Sequence, residues 1–369
     1  MKNKKPTKII IVLMLLLSLS ACGIKEESRV ITKEPGGSIT VVDNGDKETQ
    51  DPVISVEKIE PLANVEISDW LDEETVIVSK ENDKLGKMNL SELSDTYPKS
   101  LYYYNIETKE YKPIKEQKNV YLGGATLSAN KKYLLYSEYV LGDPAYYVMN
   151  LDTKKAFVIA ENDIGGAKSA GWFGNEVAGA AYNNGAYLAS ASGNISVLGG
   201  LKDESVFILR MTKDNIYYNT ENVTSLIKMN RTTKKKTMLG LKNVFNVILS
   251  KDETKMLILQ SDNTKSTLLL CDLDGNNQVK IAEGTDIGGV SWSEDQRMIA
   301  YNVKSTGTNA KVNGLYVYDI LTAKATQIAV DIQNASTSWS PKGDKLMYTQ
   351  WNGEVYDSSI VYLNSSIQK

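Results

Sequence analysis

Two stretches near the end of the chain, WSEDQRMIAY (residues 292–301) and WSPKGDKLMY (residues 339–348), share one plan. A large aromatic is followed by a short polar turn and then by an apolar strand. The same plan, more worn, stands at WLDEETVIVS from Trp70, LSANKKYLLYS from Leu127, WFGNEVAGAAY from Trp172, MTKDNIYYN from Met211 and LSKDETKMLIL from Leu249. Three residues after each anchor come Glu73, Asn130, Asn175, Asp214, Asp252, Asp295 and Lys342, mostly short side chains that tolerate left-handed backbone and bond their own main chain. Each copy therefore opens as strand, turn, strand.

A second hairpin signature follows most of the first ones: an apolar strand, an Asn or Asp, a polar turn and another strand. It is visible in LYYYNIETKEYKPI from Leu101, YYVMNLDTKKAFVI from Tyr146, SLIKMNRTTKKKTML from Ser225, TLLLCDLDGNNQVKI from Thr267 and LYVYDILTAKATQI from Leu315. Two hairpins per copy make a four-stranded antiparallel sheet, and the spacing of the copies is that of a propeller blade. The fold expected is all-β, a β-propeller of four-stranded antiparallel blades, with seven favoured and six or eight as alternatives. The third copy is the thinnest, since GAYLASASGNISVLGG has small residues where the others carry Tyr, Leu and Val.

The last copy stops at Lys369 with length for three strands and none for a fourth. Residues 53–60, VISVEKIE, alternate apolar and polar and belong to no hairpin of their own. They are expected to supply the missing strand, closing the ring and hiding an otherwise sticky edge.

The two leading motifs resemble the WD40-like repeat of TolB-type propellers, whose usual form is Trp-Ser-Pro-Asp-Gly-Lys followed by an apolar strand. The resemblance covers most of residues 64–364 and implies a propeller, commonly six-bladed, where seven anchors are counted here.

Ahead of the repeats, residues 1–22 read MKNKKPTKIIIVLMLLLSLSAC: a basic start, an apolar run too short to span a bilayer, and small residues leading to a cysteine. Leu19-Ser20-Ala21-Cys22 resembles the lipobox of bacterial lipoproteins, which implies cleavage between Ala21 and Cys22 and a lipid on the Cys22 thiol. The domain organisation expected is a signal peptide over 1–21, a lipidated cysteine and flexible tether over 22–52, and one propeller over 53–369. The body would sit on the extracytoplasmic side of a cell membrane, held to the bilayer through acylated Cys22.

Composition narrows the chemistry. The chain carries no histidine, which removes the commonest general base and zinc ligand. Its two cysteines, Cys22 and Cys271, make neither a disulfide framework nor a metal cluster, and Cys271 lies in the apolar run STLLLCDL as a buried thiol. A net charge of −3, more negative once the lysine-bearing leader is removed, argues against nucleic acid as partner. No Gly-x-Ser-x-Gly elbow is present. Asp272 to Glu283 has the length of a calcium loop, yet by repeat logic it is a hairpin turn.

No catalytic residue, cofactor or metal is assigned, and the protein is expected to be a monomer. Tyr139, Trp351 and Tyr356 fall where connections line one rim of the central channel, as does the long stretch from Glu81 to Lys99. They form the candidate binding rim. The first functional reading is a non-catalytic module that binds another envelope protein or a peptide. The alternative is a carbohydrate- or cell-wall-binding or -cleaving propeller using carboxylates and aromatics at the channel mouth.

Overall fold

The computed structural model describes residues 29–34, 37–42, 54–161, 163–305 and 313–365. The leader, Cys22 and most of the expected tether lie outside them; within the tether, Arg29–Glu34 and Gly37–Val42 pair as an antiparallel hairpin of their own. The body is all-β and antiparallel, built from four-stranded units in chain order. The first unit runs Glu66–Trp70, Thr75–Glu81, Lys99–Asn105 and Tyr111–Lys115, and the second Tyr121–Leu127, Tyr133–Tyr139, Ala145–Asn150 and Ala156–Val158. A single parallel bridge, Lys99 to Tyr121, joins these two into one eight-stranded sheet. Four further sheets start at Gly171, Val206, Val244 and Asp286. With the bridged sheet divided in two, the described strands fall into seven four-stranded units.

The last sheet is the closure expected from the sequence. Its strands Ser336–Trp339, Lys345–Trp351 and Tyr356–Ser365 come from the C-terminal end of the chain, and its outer strand, Ile54–Leu62, comes from the N-terminal side. Ile54 pairs with Ser365 and Leu62 with Ser358, so the two ends of the body share one ladder.

Each hydrophobic cluster among the described residues draws on two consecutive sheets. Met298, Val317, Trp339 and Leu346 pack between sixth and seventh, and Ile67, Trp70, Val76, Met347 and Ile360 between seventh and first. The core is thus a set of inter-sheet seams, because a single sheet cannot bury both of its faces alone. The third sheet is as thin as its sequence: Gly179 sits where an added Cβ would stand 1.8 Å from the Ser169 carbonyl oxygen.

The tryptophan anchors do more than fill seams. The Nε1–H of Trp172 donates to Thr126 O at 3.0 Å, that of Trp292 to Ile248 O at 3.4 Å, that of Trp339 to Ser291 O at 3.4 Å, and that of Trp70 to Ser338 O at 3.2 Å. In every case the acceptor is the residue just before the preceding sheet's own anchor. The Trp70 bond spans the seam between the two ends of the ring.

The turn after the anchor differs from expectation in one respect. The short polar side chain at anchor plus three does bond its own main chain: Asn130 Oδ1 accepts from Lys132 N–H, and Asp252 and Asp295 act likewise on Thr254 and Arg297. The left-handed residue, however, is one further on, at Lys131, Glu253, Gln296 and Gly343. The Asx side chain holds the turn, and the next residue accepts the positive φ. In the second hairpins Asn105, Asn150, Asn230 and Asp272 also accept main-chain N–H groups, with the positive φ at Lys109, Lys154, Lys234 and Gly275.

Removing Ile54–Leu62 exposes the whole edge of Tyr356–Ser365, so that deletion is expected to unfold or aggregate the body. Removing residues 23–42 is expected to leave its melting temperature nearly unchanged. Thermal denaturation with light scattering separates the two, and equal effects would contradict closure by this strand.

Candidate functional site at the channel mouth

The first strand of each sheet is the inner one: Glu66–Trp70 packs beside Tyr121–Leu127, Val206–Met211 beside Val244–Leu249, and Ser336–Trp339 beside Glu66–Trp70. Inner strands begin at one end of the channel, and antiparallel second strands return there. That mouth therefore collects the starts of first and third strands and the ends of second ones.

At the seam of seventh, first and second sheets this placement brings together the three candidate rim residues. Trp351 ends a second strand and is paired in register with Tyr356, which begins a third; their rings meet edge-on at 5.0 Å. Tyr139 ends the second strand of the next unit but one and is paired with Tyr121, ring centroids 5.4 Å apart. The Tyr139 hydroxyl is pushed up to about 12, by burial first and then by Glu66, Tyr356 and Tyr121, so these groups share one electrostatic neighbourhood. Trp351 keeps 49% of its surface exposed, unlike Trp70 and Trp339.

Two residues of the cluster, Glu66 and Tyr121, were not singled out from sequence, and Lys99 was named only as the end of the stretch from Glu81. Glu66 opens the inner strand of the first sheet. Burial raises its carboxyl above the usual carboxylate range, against the opposing pull of Lys99 and of the Gly124 N–H. An added Cβ at Gly123 would lie 3.6 Å from Glu66 Oε2 and 3.7 Å from Tyr139 Cε1, so glycine leaves these two side chains room to approach. Lys99, at the bridge between the first two units, sets its ammonium 5.2 Å from the Tyr356 ring centroid. Within cation–π range, that ring helps to hold the charge in place.

The loop between Glu81 and Lys99 supports the same rim. Buried Asn82 donates to Ser100 Oγ at 3.1 Å and Glu116 Oε1 at 2.7 Å, Met88 is buried, and Thr96 Oγ1 lies 2.6 Å from the Tyr121 hydroxyl. Ser68, two residues beyond Glu66 at a bulge in the same strand, has a buried hydroxyl with no protein partner.

Asp69 is the other half-buried carboxylate of this strand, but its role is architectural. Its Oδ1 accepts from Trp70 N–H at 2.8 Å and its Oδ2 from Leu127 N–H at 2.7 Å, tying the first unit to the second. The Asp272 loop is a turn, as the repeat required: Oδ1 accepts from Asp274 and Asn276 N–H, while Glu283 is held by Lys265 and Lys280. Cys271 is buried, and its thiol is pushed up to about 12 by that burial.

The site can therefore hold a planar or ring-shaped ligand against Trp351 and Tyr356, meet a negative group with Lys99, and move a proton at Glu66 Oε or Tyr139 Oη. The charged group facing Glu66 is a lysine, not the second carboxylate that glycoside hydrolysis uses.

No family model matches the chain, and no curated protein matches it. Solved structures do. An oligogalacturonate lyase in complex with manganese aligns at 9% identity and a TM-score of 0.61, over 92% of this chain and 96% of that one. An oligogalacturonate lyase from Vibrio parahaemolyticus aligns at 10% identity and 0.59, over 91% and 96%. The Cps50 (Swd1) β-propeller domain of Myceliophteria thermophila aligns at 11% and 0.56, over 85% and 100%. At such identities the likeness is one of fold, and it bears out the β-propeller architecture.

These neighbours also correct the first functional reading. A non-catalytic module for an envelope protein or peptide is not retained, because two of the structures that align over 92% and 91% of the chain are oligogalacturonate lyases, and the rim carries a converging carboxylate, lysine and tyrosines. The carbohydrate alternative is the one taken forward. Manganese is not carried over. Among the described residues no group of three or more His, Cys, Asp or Glu could hold a metal ion, the sequence has no histidine, and Glu66 faces lysine and tyrosine.

Glu66 gives a measurable sign. A carboxyl whose folded-state pKa is raised contributes its stability below the unfolded value and loses it as pH rises through the folded one. At neutral pH the ionised form therefore costs stability. Glu66→Gln is expected to raise the melting temperature at pH 7, with the gain closing below about pH 4, where the unfolded carboxyl is also protonated. A melting temperature lowered at pH 7 would contradict a buried carboxyl of raised pKa.

Proposed function

We propose that the chain is a carbohydrate-acting propeller whose channel mouth binds an acidic oligosaccharide and cleaves it by elimination. The observation that supports this is the convergence of Glu66, Lys99, Tyr139 and Tyr356 beside exposed Trp351. Trp351 and Tyr356 offer the apolar edges and faces on which a sugar ring packs. The Lys99 ammonium pairs with a uronate carboxylate and, by drawing its charge, acidifies the neighbouring ring C–H.

Each proton then has an assigned place. Glu66, its carboxyl raised above the usual carboxylate range by burial, takes the proton from the carbon beside the carboxylate. A double bond forms between that carbon and its neighbour as the C–O bond to the leaving sugar breaks. Tyr139, kept protonated by the same burial, gives its proton to the departing oxygen. Proton transfer from protonated Glu66 back to the tyrosinate, directly or through solvent, restores both groups.

Incubation with oligogalacturonate tests the reading through the ultraviolet absorbance of the unsaturated product. Glu66→Gln is expected to abolish turnover while keeping binding, Lys99→Ala to weaken binding of the acidic chain, and Trp351→Ala to raise KM with a smaller effect on kcat. Failure of the wild type to bind or cleave any uronate oligosaccharide would end the proposal.

We also propose that this body works at the outer side of a membrane, tethered through lipid on Cys22, as the lipobox resemblance implies. Palmitate labelling of the full chain and its loss in Cys22→Ala, with release of the variant from the membrane fraction, is the expected result; a membrane-bound, unlabelled wild type would refute it.

A further inference from the structure

A cavity opens at the same mouth, on the side served by the fourth and fifth sheets. It measures about 610 Å³ and is lined by Phe207 and Phe245 together with Glu221, Asn243 and Asp262. Phe207 and Phe245 each stand four residues before the anchor of their sheet, at Met211 and Leu249; the same position in the first sheet, before Trp70, is Glu66. All three therefore stand at the start of an inner strand, at the same mouth of the channel.

Both phenylalanines are set at breaks in the ladder. The register skips between Val206 and Ile208, and again between Val244 and Asn246, so each phenylalanine is the extra residue of a bulge. A bulge re-aims the side chain it carries. Here it leaves two large apolar rings 51% and 36% exposed, while Val206, Ile208 and Val244 beside them are buried. A Phe so placed costs apolar burial, and the fold accepts that cost twice at equivalent positions.

The polar groups around the rings select the occupant. Asp262 is held below the usual carboxylate range, first by the Thr264 hydroxyl, and so stays ionised; its Oδ1 accepts from Thr264 and Lys265 N–H. Glu221 is a second carboxylate, paired with Lys168. Asn243 Oδ1 accepts from Thr224 at 3.2 Å, an arrangement that leaves its amide donors. Aromatic rings beside carboxylate and amide groups suit the C–H face and hydroxyls of a neutral pyranose, and the negative charge opposes a uronate.

We propose that the Phe207–Phe245 cavity is a subsite for a neutral pyranose unit, so that the carbohydrate held at this mouth is mixed: a uronate unit at Lys99 and neutral sugar at the phenylalanines. This rests on the carbohydrate reading of the Glu66 site. The probes are a pure uronate oligosaccharide, a neutral oligosaccharide and a mixed one of equal length, titrated calorimetrically into the full chain.

The double variant Phe207→Ala/Phe245→Ala is expected to bind the mixed and neutral probes about tenfold more weakly, the scale of one lost aromatic stacking contact. Its affinity for the pure uronate probe should stay at the wild-type value, and Phe207→Tyr/Phe245→Tyr should retain the mixed probe. Unchanged affinity of the alanine variant for the mixed probe would overturn the subsite while leaving the Glu66 reading in place. Wild type that binds none of the three probes would overturn both, and an equal loss on all three would show a general disturbance of the mouth and also overturn the subsite.

Discussion

The pairing of Ile54–Leu62 with Tyr356–Ser365 is the constraint on which the rest depends, because it completes the last sheet with a strand from the N-terminal side and so ties the two ends of the row of sheets together. The indole bond from Trp70 to the Ser338 carbonyl and the shared cluster of Ile67, Val76, Met347 and Ile360 follow from it. So does the candidate site. Trp351 and Tyr356 belong to the last sheet, Glu66 and Lys99 to the first and Tyr139 to the second, so the chemistry is assembled by the same event that closes the fold. Separated ends would leave Lys99 without the Tyr356 ring and Tyr139 without one of the charges that shift it.

The architecture was legible because it is written several times. An anchor, an Asx turn and an apolar strand recur, and each copy disciplines the reading of the others; even the orphan strand over 53–60 could be placed by counting what the last copy lacked. The exact residue of positive φ was not legible. Both the Asx side chain and the residue after it are plausible in a turn, and only the geometry shows that Asn130, Asp252 and Asp295 hold the bond while Lys131, Glu253 and Gln296 take the backbone strain.

The site was legible in part, for a different reason. Trp351 stood out as the tryptophan away from the anchor register, and Tyr139 and Tyr356 lay in connections that a propeller gathers at one rim. Glu66 gave a weaker signal, a carboxylate in NVEISDW at a position where the other copies carry Gly123, Lys168, Phe207, Phe245, Gly288 and Ala335. Nothing along the chain says that Lys99 and Tyr356, more than two hundred and fifty residues apart, come within 5.2 Å. Long-range juxtaposition of this kind belongs to ring closure and not to any local pattern.

The comparison of copies separates what the repeat must keep from what it can vary. Anchor and turn are held nearly constant because they carry the seams: four tryptophans make the same bond to the neighbouring sheet. The position four residues before the anchor carries no one bond that recurs from copy to copy, and there the side chains diverge in charge and size around the mouth. A carboxylate of raised pKa with a lysine occupies one side, and a pair of bulge-borne phenylalanines with ionised Asp262 the other. A uniform ligand would gain little from so uneven a ring. The proposed ligand, a chain whose successive units differ in charge, suits a scaffold that repeats its seams and varies the starts of its inner strands.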